Sequence, residues 1–191
     1  MLILEATVKI VAIVGSPRPK GNTSYLVDQA LEEAAVNGCE VEKIILCQYK
    51  IEGCRGHDRC ATYEKCKIED DIPMILEKFR TADGTILATP VYYYNMTAQM
   101  KTFVDRNYFL YTHGIPLKSR CMGLIVVAGG SGNDITIRAL RRCFGLQGAN
   151  RENWLLVSGY ASGMGEVKNN TSLVAEARQM GKKMAEVLGR G

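Results

Sequence analysis

A dense set of anion-binding groups lies in one short stretch: Gly15-Ser16-Pro17-Arg18-Pro19-Lys20-Gly21-Asn22-Thr23-Ser24. It follows an apolar run at 8–14 and precedes a helix-like segment at 23–37. Parallel α/β folds hold phosphate in this order of strand, polar turn and helix start, because backbone N–H groups and the helix dipole both face the anion. Ser16, Thr23 and Ser24 offer hydroxyls, Asn22 an amide and Arg18 a charge-assisted contact. The same residue types are also ordinary helix caps. Two common guests are excluded by spacing. A Walker loop places four residues between its glycines and follows them with Lys-Ser/Thr; here five residues separate Gly15 from Gly21, and Asn22-Thr23 follow. The three-glycine dinucleotide fingerprint is missing. A terminal monophosphate is the expected guest.

Three other segments hold chemistry-bearing residues. Thr89-Pro90-Val91-Tyr92-Tyr93-Tyr94-Asn95-Met96-Thr97 puts three tyrosines and an amide just before a helix-like stretch. Pro90, Val91, Tyr92, Tyr93 and Asn95 could line a flat heteroaromatic ring, although the same tyrosines also suit core packing or a subunit contact. Ala128-Gly129-Gly130-Ser131-Gly132-Asn133 lets backbone approach a ligand closely at Gly129 and Gly130, or serves as a plain connection. Residues 47–69 hold Cys47, Cys54, Cys60 and Cys66, four of the seven cysteines, with His57 among them. Thiols so clustered suggest a metal or cluster site.

These segments must be placed by strands and helices. Apolar runs near 8–14, 40–46, 84–89, 121–128 and 152–158 have strand length, and amphipathic stretches near 23–37, 70–80, 97–108, 133–146 and 171–189 read as helices. The runs lack alternation, as expected of strands covered on both faces. Five strand–helix units predict a doubly wound parallel α/β sheet with flavodoxin-like order 2-1-3-4-5, spanning residues 1–191 as one domain. Ligands in such a sheet sit beyond the carboxyl ends of the strands, which is where the phosphate turn, the tyrosine segment and the glycine segment fall. Together they describe a pocket for a phosphate, a chain and a tricyclic ring, which is flavin mononucleotide (FMN).

Bulk properties narrow the rest. A net charge of +4 on 191 residues is too small to argue for nucleic acid, and Arg138, Arg141 and Arg142 read as a solvated helix face. No apolar stretch has the length of a membrane span, and no secretory signal is visible. With an odd number of cysteines, reduced thiols in the cytoplasm are expected.

The segments Ile13-Val14-Gly15-Ser16-Pro17-Arg18, Gly21-Asn22-Thr23, Thr89-Pro90-Val91-Tyr92-Tyr93 and Met96-Thr97-Ala98-Gln99-Met100-Lys101-Thr102-Phe103-Val104-Asp105-Arg106 resemble the flavodoxin-like NAD(P)H-dependent FMN reductase family, most closely its iron–sulfur flavoprotein branch. The resemblance implies that Ser16, Arg18, Asn22, Thr23 and Ser24 hold the FMN phosphate. It implies that Pro90, Val91, Tyr92, Tyr93 and Asn95 line the ring, and that Gly129 and Gly130 close its other side. It also implies electron transfer from NAD(P)H to a quinone, flavin or other acceptor, and assembly as a homodimer or homotetramer. With the redox chemistry residing in the flavin, no side-chain nucleophile or triad is expected. The branch carries Cys-x2-Cys-x2-Cys and a later Cys around a [4Fe–4S] cluster. On this chain that pattern falls on Cys54, His57, Cys60 and Cys66, so the second ligand is histidine, with Cys47 as a substitute thiolate. A cluster, a tetrahedral zinc and no metal all remain open at this stage. A bound cluster would favour an electron carrier served by a ferredoxin-type partner.

Overall fold

The computed structural model describes residues 7–145 and 154–189. Its elements run β1 (Lys9–Val14), α1 (Asn22–Val36), β2 (Glu40–Ile45), α2 (Ile72–Thr81), β3 (Gly84–Tyr92), β4 (Asn95–Met96), α3 (Ala98–Arg106), α4 (Tyr108–Thr112), β5 (Cys121–Ala128), α5 (Asn133–Gly145), β6 (Trp154–Tyr160) and α6 (Thr171–Leu188). The sheet order is β2-β1-β3-β5-β6, all parallel, with the two-residue β4 returning antiparallel on β3. Leaving out β4, this is the flavodoxin-like order. Positions 146 and 152–153 of the expected fourth helix and fifth strand lie outside the described residues.

The unbroken apolar strands are explained by two cores. Ile10, Ala12 and Val14 of β1 join Leu26 and Val27 of α1 and Leu173, Ala177, Met180 and Met184 of α6. Val11 and Ile13 join Ile75 and Phe79 of α2, Phe103 of α3 and Phe144 of α5. Alternate strand residues therefore feed opposite layers, so neither face can be polar. Each fully buried aliphatic or aromatic side chain contributes about 1.5–3 kcal/mol. Phe79 meets Phe103 and Phe144 edge-on at 5.2 and 5.4 Å, a geometry the ring quadrupoles favour. At α6, Asn170 Oδ1 accepts the Leu173 N–H at 3.1 Å and starts the helix.

β3 runs further than the sequence suggests, through Pro90 to Tyr92. Proline is tolerated there because β1 has already ended: Val14↔Ala88 is its last pair with β3. Tyr93 and Tyr94 then turn the chain at φ 46° and 66°. Both values lie in the left-handed region, as a two-residue hairpin of this hand requires, and bulky side chains rarely adopt it. Gly132 packs against this turn, where a Cβ would come within 3.0 Å of Tyr94 Cα and Val91 Cγ1.

Candidate cofactor site

The carboxyl ends of β1, β3, β5 and β6 open onto one cleft of about 270 Å³. Four strand-end segments meet there, because the register sets Val14, Ala88, Ile125 and Val157 side by side across the sheet. Ser16, Arg18, Asn22 and Thr23 line it from the first turn. Pro90, Val91 and Tyr92 line it from β3, and Gly129 from the end of β5.

The first turn uses some of its donors internally, the Ser16 O–H on Arg18 O at 3.2 Å and Asn22 Nδ2 on Gly163 O at 2.8 Å, and leaves the N–H groups that open α1 without a side-chain cap. Ser16 Oγ accepts the Arg18 N–H at 3.1 Å, which folds the turn back on itself. Gly15 crosses α3 so closely that a Cβ would meet Met100 Cβ at 2.6 Å. Thr97 Oγ1 donates to Gly15 O at 2.6 Å while accepting the Met100 N–H at 3.2 Å, so one hydroxyl both caps α3 and pins the turn. Among the described residues no side chain caps α1, and its first N–H to reach a backbone acceptor is that of Tyr25, on Gly21 O at 3.0 Å. A helix start without a protein cap, facing a cleft beside Arg18 and the buried Thr23, has the donor set an anion requires.

Four expected site residues lie outside the cleft lining. Ser24 is fully buried, and its Oγ accepts from Lys43 Nζ at 3.3 Å, on the side of α1 where Lys43 also pairs with Asp28. Tyr93 stands 97% exposed at the hairpin tip. Asn95 Oδ1 accepts the N–H of Met96 at 2.8 Å, a local turn contact. Gly130 lies exposed in the loop after β5. Conversely, the cleft includes Gly21, Val127, Ala161, Ser162 and Met164, which sequence reasoning missed. The run Ala161-Ser162-Gly163-Met164-Gly165 follows the last strand, so the strand-end rule itself was the available signal.

The cysteine-rich segment is arranged differently. Cys54 opens onto a groove with Tyr108, Tyr111 and Cys143. His57 meets Tyr63 edge-on at 6.0 Å. Cys60 begins a short 3-10 turn, Cys60–Thr62. Cys66 Sγ accepts from Arg106 Nη2 at 3.4 Å. Cys47 lies near Tyr49 and Gln99 in a separate cleft. Among the described residues no three His, Cys, Asp or Glu side chains are placed to hold a metal ion. The four expected ligands thus face different surroundings, and as arranged they do not fit a cluster or zinc.

What holds this segment is an ion pair. Arg106 and Asp70 have side chains only 2% and 0% exposed. Arg106 Nη1 donates to Asp70 Oδ2 at 2.5 Å and to Glu52 O at 2.8 Å, and Nη2 donates to Asp70 Oδ1 at 3.2 Å. Burial alone would raise the Asp70 carboxyl. The Arg106 guanidinium and the N–H groups of Glu52 and Ile72 more than reverse this and hold it below the usual carboxylate range.

Residues 8–179 match the family of NADPH-dependent FMN reductases. The chain belongs to this family. It is 35% identical over 193 residues to an iron–sulfur flavoprotein of Methanocaldococcus jannaschii, covering 94% of this chain and 97% of that one. It is 38% identical over 181 residues to an iron–sulfur flavoprotein of Archaeoglobus fulgidus, covering 93% and 79%. Its fold matches that of an NAD(P)H:quinone oxidoreductase from Methanothermobacter marburgensis with a TM-score of 0.73 at 16% identity, over 94% of this chain and 98% of the other. The family places this chain among the flavin oxidoreductases, within its iron–sulfur flavoprotein branch. Among the described residues no helix is long and apolar enough to cross a membrane.

Proposed function

We propose that this chain binds FMN in the strand-end cleft, takes electrons from NADH or NADPH, and passes them to a small acceptor such as a quinone or a free flavin. The observation that carries this reading is the joining of an uncapped α1 terminus to a non-polar shelf in one cleft. Ser16, Arg18 and Thr23, with the N–H groups opening α1, would hold the phosphate. Pro90, Val91 and Tyr92 would support one edge of the ring, and exposed Gly129 would allow close backbone approach on the other. When bound, the flavin supplies hydride and single-electron transfer. The side chains of this protein orient it and limit water at the cleft, and among the described residues Arg18 is the one charged side chain that lines it. The reading extends to a cytoplasmic homodimer or homotetramer whose nicotinamide donor stacks against the open side of the cleft.

Anaerobic mixing with NADH or NADPH tests it: flavin absorbance should bleach within the mixing experiment. A colourless protein that takes up no added FMN would end the reading in favour of a non-redox module. A second reading, an electron carrier fed by a ferredoxin-type partner, is favoured by the iron–sulfur flavoproteins among its relatives. Bleaching by reduced ferredoxin alone, with iron and sulfide in anaerobically purified protein, would support that reading. The placement of Cys54, His57, Cys60 and Cys66 speaks against it.

A further inference from the structure

The segment 161–166 after β6 forms one wall of the cleft, yet has little packing of its own. Ser162, Gly163, Met164 and Glu166 are all exposed, and the first fully buried side chain beyond them is Val167. Its position is set by hydrogen bonds instead. Glu166 Oε2 accepts the backbone N–H groups of Ser162 and Gly163 at 2.8 and 2.6 Å. Ser162 Oγ donates to Gly129 O at 2.8 Å and joins the segment to the loop after β5. Asn22 Nδ2 donates to Gly163 O at 2.8 Å, and Asn22 Oδ1 accepts the Val167 N–H at 3.4 Å, joining it to the start of α1.

We propose that Glu166 and Asn22 are positioning residues that fasten this segment as a strap across the cofactor cleft, so that strap order governs how long FMN is retained. The inference rests on the FMN reading above. Glu166 does not line the cleft, while Ala161, Ser162 and Met164 do. Glu166 therefore acts through the backbone it holds. Because a single oxygen receives both N–H groups, the role needs an acceptor rather than a charge. Asn22 links the strap to the helix start that faces the phosphate, so the two ends of the cleft are tied by one amide. Without these ties, exposed residues with little packing would regain backbone freedom. An unfastened strap then leaves association nearly unchanged and speeds release, the usual pattern when pre-organisation is lost.

The test uses Glu166→Ala and Glu166→Gln, which leave every cleft-lining residue in place. FMN release is followed by recovery of flavin fluorescence on dilution. Amide hydrogen exchange of 162–163 is read in the protein stripped of flavin. E166A should release FMN roughly tenfold faster and lose protection at both amides, while E166Q stays within about threefold of the unaltered protein and keeps protection. Unchanged release and exchange in E166A would overturn the strap. So would equal defects in E166A and E166Q, which would assign the effect to charge. If the unaltered protein takes up no FMN, the cofactor reading fails together with the strap's role in retention. Exchange at 162–163 then still reports separately whether Glu166 fastens the segment.

Discussion

The two donor-rich regions of this chain are held in place by different means. In the cofactor cleft, the lining comes from the end of β3 and from the turns that leave β1, β5 and β6, and hydrogen-bonded register brings those strand ends together. In the cysteine-rich segment between β2 and α2, donors sit on a connection whose regular structure is two three-residue 3-10 turns. One buried ion pair, Arg106–Asp70, ties that connection to α3. Topology therefore gathers groups at strand ends whatever their spacing. Spacing within a loop gathers nothing unless a clamp or a bound ion does so.

The largest effect that would sharpen this contrast is expected from Arg106→Leu. It leaves Asp70 buried without its partner, and loss of one member of a buried pair costs about 3–5 kcal/mol. Urea unfolding should register that loss, and proteolysis should first cut within 47–71, while the folded fraction still takes up FMN. A cost near zero would mean that something other than this pair holds the segment. Gly15→Val should come next. Its side chain would collide with Met100 and Thr97. Overpacking of this kind costs about 1–3 kcal/mol. Calorimetry should find FMN binding abolished, with protease resistance of 47–71 unchanged. Arg18→Ala and Thr23→Ala should each weaken FMN by roughly tenfold at little cost to stability, the scale of one hydrogen bond to a charged group.

Acidification should separate the regions more gently. Asp70 has a folded carboxyl below the ordinary value of about 3.9, so its pairing stabilises the protein above that value. The contribution declines as pH falls from there through the folded pKa, where the carboxylate takes up a proton in both states. The urea midpoint should therefore drop on going from pH 6 to pH 3, with a smaller drop in Asp70→Asn. An identical pH profile in both proteins would remove Asp70 from the account.

Much of this was legible in the residues. The strand–helix alternation pointed to the sheet order, because apolar runs of strand length that alternate with amphipathic helices suit a parallel sheet covered on both faces. The first turn could be placed at the cleft because its polar residues lie close together in sequence: Ser16, Arg18, Asn22 and Thr23 all line it. Ser24 could not be placed, since one further residue along a helix rotates a side chain by about 100°, here toward Lys43. The tyrosine segment was misread in extent because Pro90 looks like a strand end. Only the register, with β1 stopping at Val14, explains its place inside β3. The strap was invisible for a different reason. Asn22 meets Gly163 across 141 positions of sequence, and no local pattern reports such a contact.

The central claim is that the first turn and the start of α1 grip a phosphate. Titrating flavin-free protein with FMN and with riboflavin, which differ only in that group, tests it most directly. The account predicts one FMN per chain, bound on the order of 100-fold more tightly than riboflavin, the equivalent of two charge-assisted hydrogen bonds. Equal affinity for the two flavins would contradict it.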